Sequence, residues 1–389
     1  MERRTFLKIL SSAGIVSLVS PTFAMEVCKN KVSKSSSALL ESAFRNPPFS
    51  SGVYTWWHWM NGNITKDGIT RDLEAMKANG IAGYQLFEAG SGIPIGPVES
   101  LSDEWVDLIL HTLKESERLG LEFAMHNCPG WSSSGGPWIT PDKAMQIITW
   151  SETKITGGKQ VRIQLPTPKH MFDYYIDTYC LAIPANMKVI PRLSILELSN
   201  RLDKDGVLTW DIPAGEWLIM RFGQTAKDQK NKSAPSKSTG LDCDKFSTEA
   251  LDYHLNCMFK RLMPTMEKIA KHSKIGLLID SYETGDQDWT SDMPAYFEQS
   301  NGYELYPFLP VLANKIVESE ESTKRFLFDF RRVRADMFAE RYYGHFQKRC
   351  KEKGIITYTE PYGGNMMEEL QVAQQLDINM GEFWCGQTV

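Results

Sequence analysis

Two periodicities alternate along the chain. Gly52 to Met60 is a dense, aromatic, β-prone run, and Ile69 to Asn79 follows with apolar residues at helical spacing and Gly80 as a C-cap. Ile81 to Phe87 reads as a short strand. Ser102, with Glu104 and Trp105 behind it, opens a helix predicted to run to Arg118 and to close at Gly120, and Leu121 to His126 is a third strand. Strand, helix, glycine, strand at this spacing predicts right-handed βαβ units around a parallel sheet.

Between about Thr149 and Gly240 short alternating segments replace the helices. Val161–Leu165, Asp177–Ile183, Val207–Asp211 and Trp217–Phe222 read as antiparallel strands, with Pro213-Ala214-Gly215 as a turn and Lys227 to Ser238 as a polar, mobile tail. The βα rhythm then resumes. A helix is predicted over Ser247–Lys271, a strand over Ile275–Ile279, a second long helix over Thr323–Lys353 and a strand over Gly354–Tyr358. A short helix over Glu368–Gln375 and a last strand over Ile378–Gly381 follow. Six βα-type strands begin near residues 53, 83, 122, 276, 355 and 378, and eight would close a (β/α)8 barrel. The expected fold is therefore an α/β, TIM-type barrel, incomplete at the C-terminus with six of eight strands. Its first part covers 44–148 and its second part 241–389, and a β-rich, sandwich-like subdomain is inserted at 149–240.

The N-terminus changes the picture of where such a domain works. Met-Glu-Arg-Arg-Thr-Phe-Leu-Lys opens on two arginines, an apolar stretch runs to Ala24, and Pro21-Thr22-Phe23-Ala24 suits cleavage. Residues 1–24 read as a twin-arginine-type signal peptide and 25–43 as a flexible leader, so the mature protein is expected in the periplasm or outside the cell. No later stretch approaches the 18 or so uninterrupted apolar residues of a membrane span.

Composition excludes several classes. With 42% hydrophobic and 23% charged residues the chain is ordinary globular material. Lys and Arg number 43 against 48 Asp and Glu, and no basic run gives the footprint of a nucleic-acid binder; Arg331, Arg332 and Arg334 read as a solvated helix face. Seven scattered cysteines contain no Cys-x-x-Cys pair and no zinc spacing.

Barrels carry their chemistry at the C-terminal ends of the strands, and here those ends concentrate aromatic and polar residues. Trp57, His58, Trp59 and Asn61 follow the first strand, Glu88 the second, and His126, Asn127 and Trp131 the third. Asp280, Tyr282 and Glu283 follow the fourth, Glu360 and Tyr362 the fifth, and Glu382 and Trp384 the sixth. Aromatic faces beside carboxylates and Asn or His donors suit a carbohydrate pocket. Cleaving a glycosidic bond needs two carboxyl groups, one to protonate the leaving oxygen and one to activate water or attack. Glu283, Glu360 and Glu382 each sit at a different strand end, with Glu88 a weaker fourth. Glu283, placed among aromatics, is expected to be desolvated and so shifted toward a general acid. Asp280 reads as a loop anchor or a metal ligand. Ser132-Ser133-Ser134-Gly135-Gly136 lacks the lysine of a phosphate loop.

The runs Trp57-His58-Trp59-Met60-Asn61-Gly62-Asn63-Ile64-Thr65, His126-Asn127-Cys128-Pro129-Gly130-Trp131-Ser132 and Ser134-Gly135-Gly136-Pro137-Trp138 resemble glycoside hydrolase family 106. So do Trp210-Asp211-Ile212-Pro213-Ala214-Gly215-Glu216-Trp217, Gly240-Leu241-Asp242-Cys243-Asp244-Lys245 and Asp280-Ser281-Tyr282-Glu283. The resemblance covers about Phe44 to the end. It implies an inverting, calcium-dependent α-L-rhamnosidase with a (β/α)8 catalytic domain, acting on rhamnose-containing plant-type oligo- or polysaccharides. It implies that Glu283 is the general acid. The base is expected on a later strand, beyond this chain or at Glu382 or Glu360, with Glu382 otherwise a substrate contact; the calcium ligands are not placed. Two further readings stay open: a non-catalytic carbohydrate-binding protein lacking its base, and a glycosidase for another deoxy-sugar or a uronic acid.

Overall fold

In the computed structural model, residues 34–48, 51–131, 134–364, 366–383 and 385–386 are described. The signal peptide expected at 1–24 lies outside them, as does Cys28. Two compact units meet in sequence at Val53 and Tyr54. The first holds the helix Lys34–Arg45, with an ion pair between Arg45 and Glu41. All that follows concerns the second.

Side-chain caps start the helices that flank the first strands. Thr65 accepts the amide of Gly68 at the head of Lys66–Ala78, and Ser102 accepts that of Trp105 at the head of Asp103–Leu119. Gly120, left-handed at φ 67°, ends the second helix. These helices alternate with strands β1 (Val53–Met60), β2 (Ile81–Ala89) and β3 (Glu122–His126); β4 (Ile275–Ile279), β5 (Ile356–Thr359) and β6 (Ile378–Asn379) come later in the chain. The six form one sheet in the order β1-β2-β3-β4-β5-β6, and β2 through β6 pair in parallel.

Both faces of the sheet are covered. Tyr84, Leu86, Phe123, Met125, Leu277 and Ile279 point into the main core with Trp105, Ile109 and Leu113 of the flanking helix. Phe87, Ala124, Leu278 and Tyr358 form a separate cluster on the other face, joined by Ile356, Met380 and Trp131. Gln85 Nε2 of β2 lies 2.8 Å from Met380 Sδ just past β6. A flat sheet would hold strands four places apart about 19 Å from each other, so the sheet curls tightly around this second face.

The insertion between β3 and β4 is antiparallel. Four strands pair in the order Gln146–Thr156, Glu216–Ala226, Ile176–Pro184, Leu196–Glu197, and Lys159–Gln164 pairs with Val207–Ile212. Their core contains Cys180, Ala182, Leu208, Trp210 and Ile219.

Several elements differ from expectation, among them the strand Gln146–Thr156, which was not expected and crosses the insertion boundary set at 149. The helix expected over Ser247–Lys271 is two helices, Thr248–Phe259 and Met263–Ile269, because Pro264 has no amide to donate and marks a new first turn. The helix expected over Thr323–Lys353 begins earlier, at Glu320 behind a Ser319 cap, and passes through a π-helical stretch, Phe338–Gly344. The segment 227–238 is no mobile tail. Asn231 Nδ2 donates to Pro129 O at 2.9 Å, and the Gly90 amide donates to Ser233 O at 2.6 Å. A Cβ on Gly130 would stand 2.0 Å from Lys232 O, and one on Gly90 would stand 2.6 Å from Pro235. Two glycines at the ends of β2 and β3 thus let this strap lie directly on the sheet's end.

Beneath the strap, Lys245 is fully buried. Its ammonium pairs with Asp242, donates to Cys243 O at 3.0 Å and Ser134 O at 3.3 Å, and stands 4.9 Å from the centre of the Tyr342 ring. Asp244 accepts from Thr290 Oγ1 at 2.8 Å and from Gln287. Removing one partner of a buried pair strands the other's charge at a cost of about 3–5 kcal/mol. Lys245→Met is therefore expected to lower the unfolding free energy by that order in a urea titration; a loss under about 1 kcal/mol would contradict the account.

Candidate active site

Past the ends of β3, β4 and β5 the second face turns polar. The residue after Leu278 and Ile279 is Asp280, and the residue after Tyr358 and Thr359 is Glu360; parallel pairing of Ile279 with Thr359 sets the two carboxyl groups side by side in hydrogen-bonding contact. Both are buried. Burial and the adjacent Glu360 carboxyl push Asp280 far above the usual carboxylate range. Two buried carboxyl groups in contact resist carrying two charges, so the pair shares a proton. Tyr362 Oη donates to Glu360 Oε2 at 2.7 Å and also engages Glu382.

Beside them, His126 Nε2 stops 3.7 Å from Asp280 Oδ2 and makes no hydrogen bond. Burial lowers its pKa to about 3, so the imidazole is neutral. Its ring packs tilted against Phe87, centroids 3.8 Å apart, and Phe87 also touches His58 and Trp56. Trp56, Glu360, Met380, Gly381, Glu382 and Phe383 line a depression of about 400 Å³. Glu283 stands at its own loop, hydrogen-bonded by Ser281 Oγ at 3.5 Å, with the Lys232 ammonium 3.5 Å from Oε2. The expected desolvated setting is absent: 39% of the Glu283 side chain is open to solvent and its close neighbours are polar.

The structure thus gathers His58, His126, Trp131, Asp280, Glu360, Tyr362 and Glu382 on one face, with Glu283 in a polar loop after Asp280. Six other candidates lie elsewhere. Trp57 and Trp59 point the opposite way from Trp56 and His58, against Tyr84 and Trp105. Glu88 sits behind the sheet, accepting from Ser100 Oγ at 2.8 Å. Asn61 ties its loop to Ile93 O, and Asn127 holds Leu278 O, Ser134 and His254. Tyr282 is buried against Phe338, with its hydroxyl on Gly285 O. All six are engaged in packing or in hydrogen bonds within the fold. Trp384 falls outside the described residues. Lys232, within the segment expected to be a tail, stands beside Glu283; the paired glycines Gly90 and Gly130 are the trace the strap leaves in the sequence.

Among the described residues no three His, Cys, Asp or Glu side chains converge as a metal site. Calcium, which takes six to eight oxygen ligands including backbone carbonyls, is given no part in the steps below.

A curled α/β sheet whose strand ends bring together carboxyl groups, a neutral histidine and aromatic rings has the makings of a glycoside hydrolase. Comparison with known proteins agrees. The glycoside hydrolase family 106 model, described as alpha-L-rhamnosidase, matches residues 45–177 and 169–389, and the chain belongs to that family. A "putative beta-glucuronidase" of Formosa agariphila is 41% identical over 378 residues, covering 89% of this chain and 32% of that protein. The structure of a rhamnosidase from Novosphingobium sp. PP1Y superposes with a TM-score of 0.78 at 24% identity, over 87% of this chain and 49% of that one; the two share a fold. The chain therefore spans about a third of the curated relative's length and about half of the solved one's.

Glu88 supplies a test of these placements. Burial raises its pKa to about 7, against the opposing hydrogen bond of Ser100. A raised folded-state value means that the folded protein binds the proton more tightly than the unfolded chain does. The stability this contributes is complete below the unfolded value and lost as pH rises through 7. Glu88→Gln is expected to remove a decline of about 1.4 kcal/mol per pH unit across that window. Urea unfolding of both proteins from pH 4.5 to 8 checks it; parallel profiles would place Glu88 in solvent.

Proposed function

We propose that the chain carries the acid-bearing part of an exported glycosidase that removes terminal α-L-rhamnosyl groups from plant-type oligo- or polysaccharides. The observation that carries the reading is the set of carboxyl groups at the ends of β4, β5 and β6 in a chain matched from residue 45 to 389 by the rhamnosidase family model. The curl of the six-stranded sheet supports a (β/α)8 barrel of which these strands form part, with the sandwich-like insertion at 149–240. The two opening arginines and the apolar stretch after them support export.

In this reading Glu283 delivers a proton to the glycosidic oxygen as the bond to the sugar breaks, in an inverting displacement. Glu360, held by Tyr362 and by its contact with Asp280, is an oriented acceptor for sugar hydroxyls, and His126 offers an uncommitted nitrogen beside it. Glu382, at the mouth of the depression, either activates the attacking water or contacts substrate. Phe87, Trp56 and Trp131 close the site from below with apolar surface. The name of the Formosa relative supports a second substrate, a β-glucuronide, on the same carboxyl groups.

Turnover of aryl α-L-rhamnoside and aryl β-D-glucuronide by the protein distinguishes the two. Glu283→Gln is expected to cut kcat about 10²–10⁴-fold with little change in KM. Glu382→Gln is expected to match it if Glu382 is the base and to raise KM alone if it is a substrate contact. Saturable binding of rhamnosides with no turnover in the wild type would leave a carbohydrate-binding protein instead.

A further inference from the structure

The strap at 228–240 is held too closely to be a connector. It leaves the last long strand of the insertion, Glu216–Ala226, and crosses the ends of β2 and β3. Gly90 and Gly130 let its backbone approach to distances that no side chain would permit. Asn231 bonds forward to Ser238 O and across to Pro129 O, and its Oδ1 accepts the Gly240 amide at 2.8 Å. Ser233, immediately after Lys232, is held in the left-handed region at φ 60°, a conformation that persists only where its surroundings impose it. All these restraints bear on the residues around Lys232, and they bring one ammonium group to Glu283.

We propose that Lys232 is a specificity residue that receives the carboxylate of a uronic acid in the substrate, at the sugar next to the scissile bond. The inference rests on the glycosidase reading above and names the class of substrate its site prefers. A compact ammonium on a flexible stem can pass from one carboxylate to another within reach. The Lys232 side chain is about half exposed, at 51%, so its ammonium can meet a ligand's carboxylate beside Glu283 without desolvating a buried charge. A neutral sugar in the same place offers Lys232 nothing in exchange. The carboxyl groups deeper in the site, Asp280 and Glu360, would repel an acidic sugar; the lip is where a cation can admit one.

The test uses a matched pair: an α-L-rhamnosyl disaccharide on glucuronic acid and the same disaccharide with its carboxyl reduced to the glucose form. Values are kcat/KM where the disaccharides are cleaved, and Kd by calorimetry where they are not. The wild type is expected to favour the acidic member about fivefold, the scale of a partly exposed ion pair. High salt should shrink that preference. Lys232→Met should bring the ratio near one and Lys232→Arg should retain it, with thermal melts confirming that both variants fold. A wild-type ratio of one, or a preference that survives Lys232→Met, overturns the proposal. If neither disaccharide is bound or cleaved while an aryl glucuronide is, in a Lys232-dependent way, the lip's role stands and the rhamnosyl reading falls. If no ligand binds at all, both fall.

Discussion

The parallel register that sets Ile279 against Thr359 decides the chemistry of the molecule. It places Asp280 and Glu360 on the same face, adjacent and buried, and they satisfy one another only by sharing a proton. A slip of one residue would send one of them to the helix-covered face. The register is secured lower down, where Gly276 pairs with Ile356 and lets the Tyr358 ring lie where a Cβ would stand 2.4 Å from it. A small residue in β4 therefore makes room for a large one in β5, and the pair of acids at the top inherits its alignment from that fit. The main core, with Leu277 and Ile279 on its side of the sheet, supplies the burial that holds two costly polar groups in place.

The strand positions were legible in the sequence because each apolar run is short, bounded by glycine or a cap, and separated from the next by helical spacing. The faces were not. A parallel strand covered on both sides carries no alternation of apolar and polar residues, so Trp56 and Trp57, or Phe87 and Glu88, look equivalent in the sequence and point in opposite directions in the fold. Choosing candidates by nearness to a strand end therefore selected Trp59, Glu88 and Tyr282 along with His126, Asp280 and Glu360. The carboxyl groups that do converge were legible because they follow strands whose ends share one face. Contact between Asp280 and Glu360 needed the register, which no spacing along a single chain reveals. The role of the strap was hidden by composition: Lys, Ser and Pro in succession resemble a solvated loop, and what holds the segment is backbone approach at two distant glycines.

Polar burial recurs where segments from different parts of the chain meet. Lys245 draws together the carbonyls of Ser134 and Cys243, the carboxylate of Asp242 and the ring of Tyr342 from the π-helical stretch. Asp244 gathers Gln287 and Thr290 from the loop that follows Glu283. These groups hold one geometry because each alternative leaves a buried charge unmatched. The junction between the insertion, the sheet and the loop after Glu283 is thereby made rigid, and among the described residues no cysteine is in a disulfide.

The strap belongs to the insertion in sequence and to the sheet's end in space. The acids and Lys232 thus come from separate pieces of the chain, which meet where Gly90 and Gly130 permit close approach. On the proposed reading such a molecule is modular in its evolution: an altered insertion changes which glycans are admitted, while the strands below keep the same acids in the same register. Relatives in one family could then diverge in diet without relearning their chemistry.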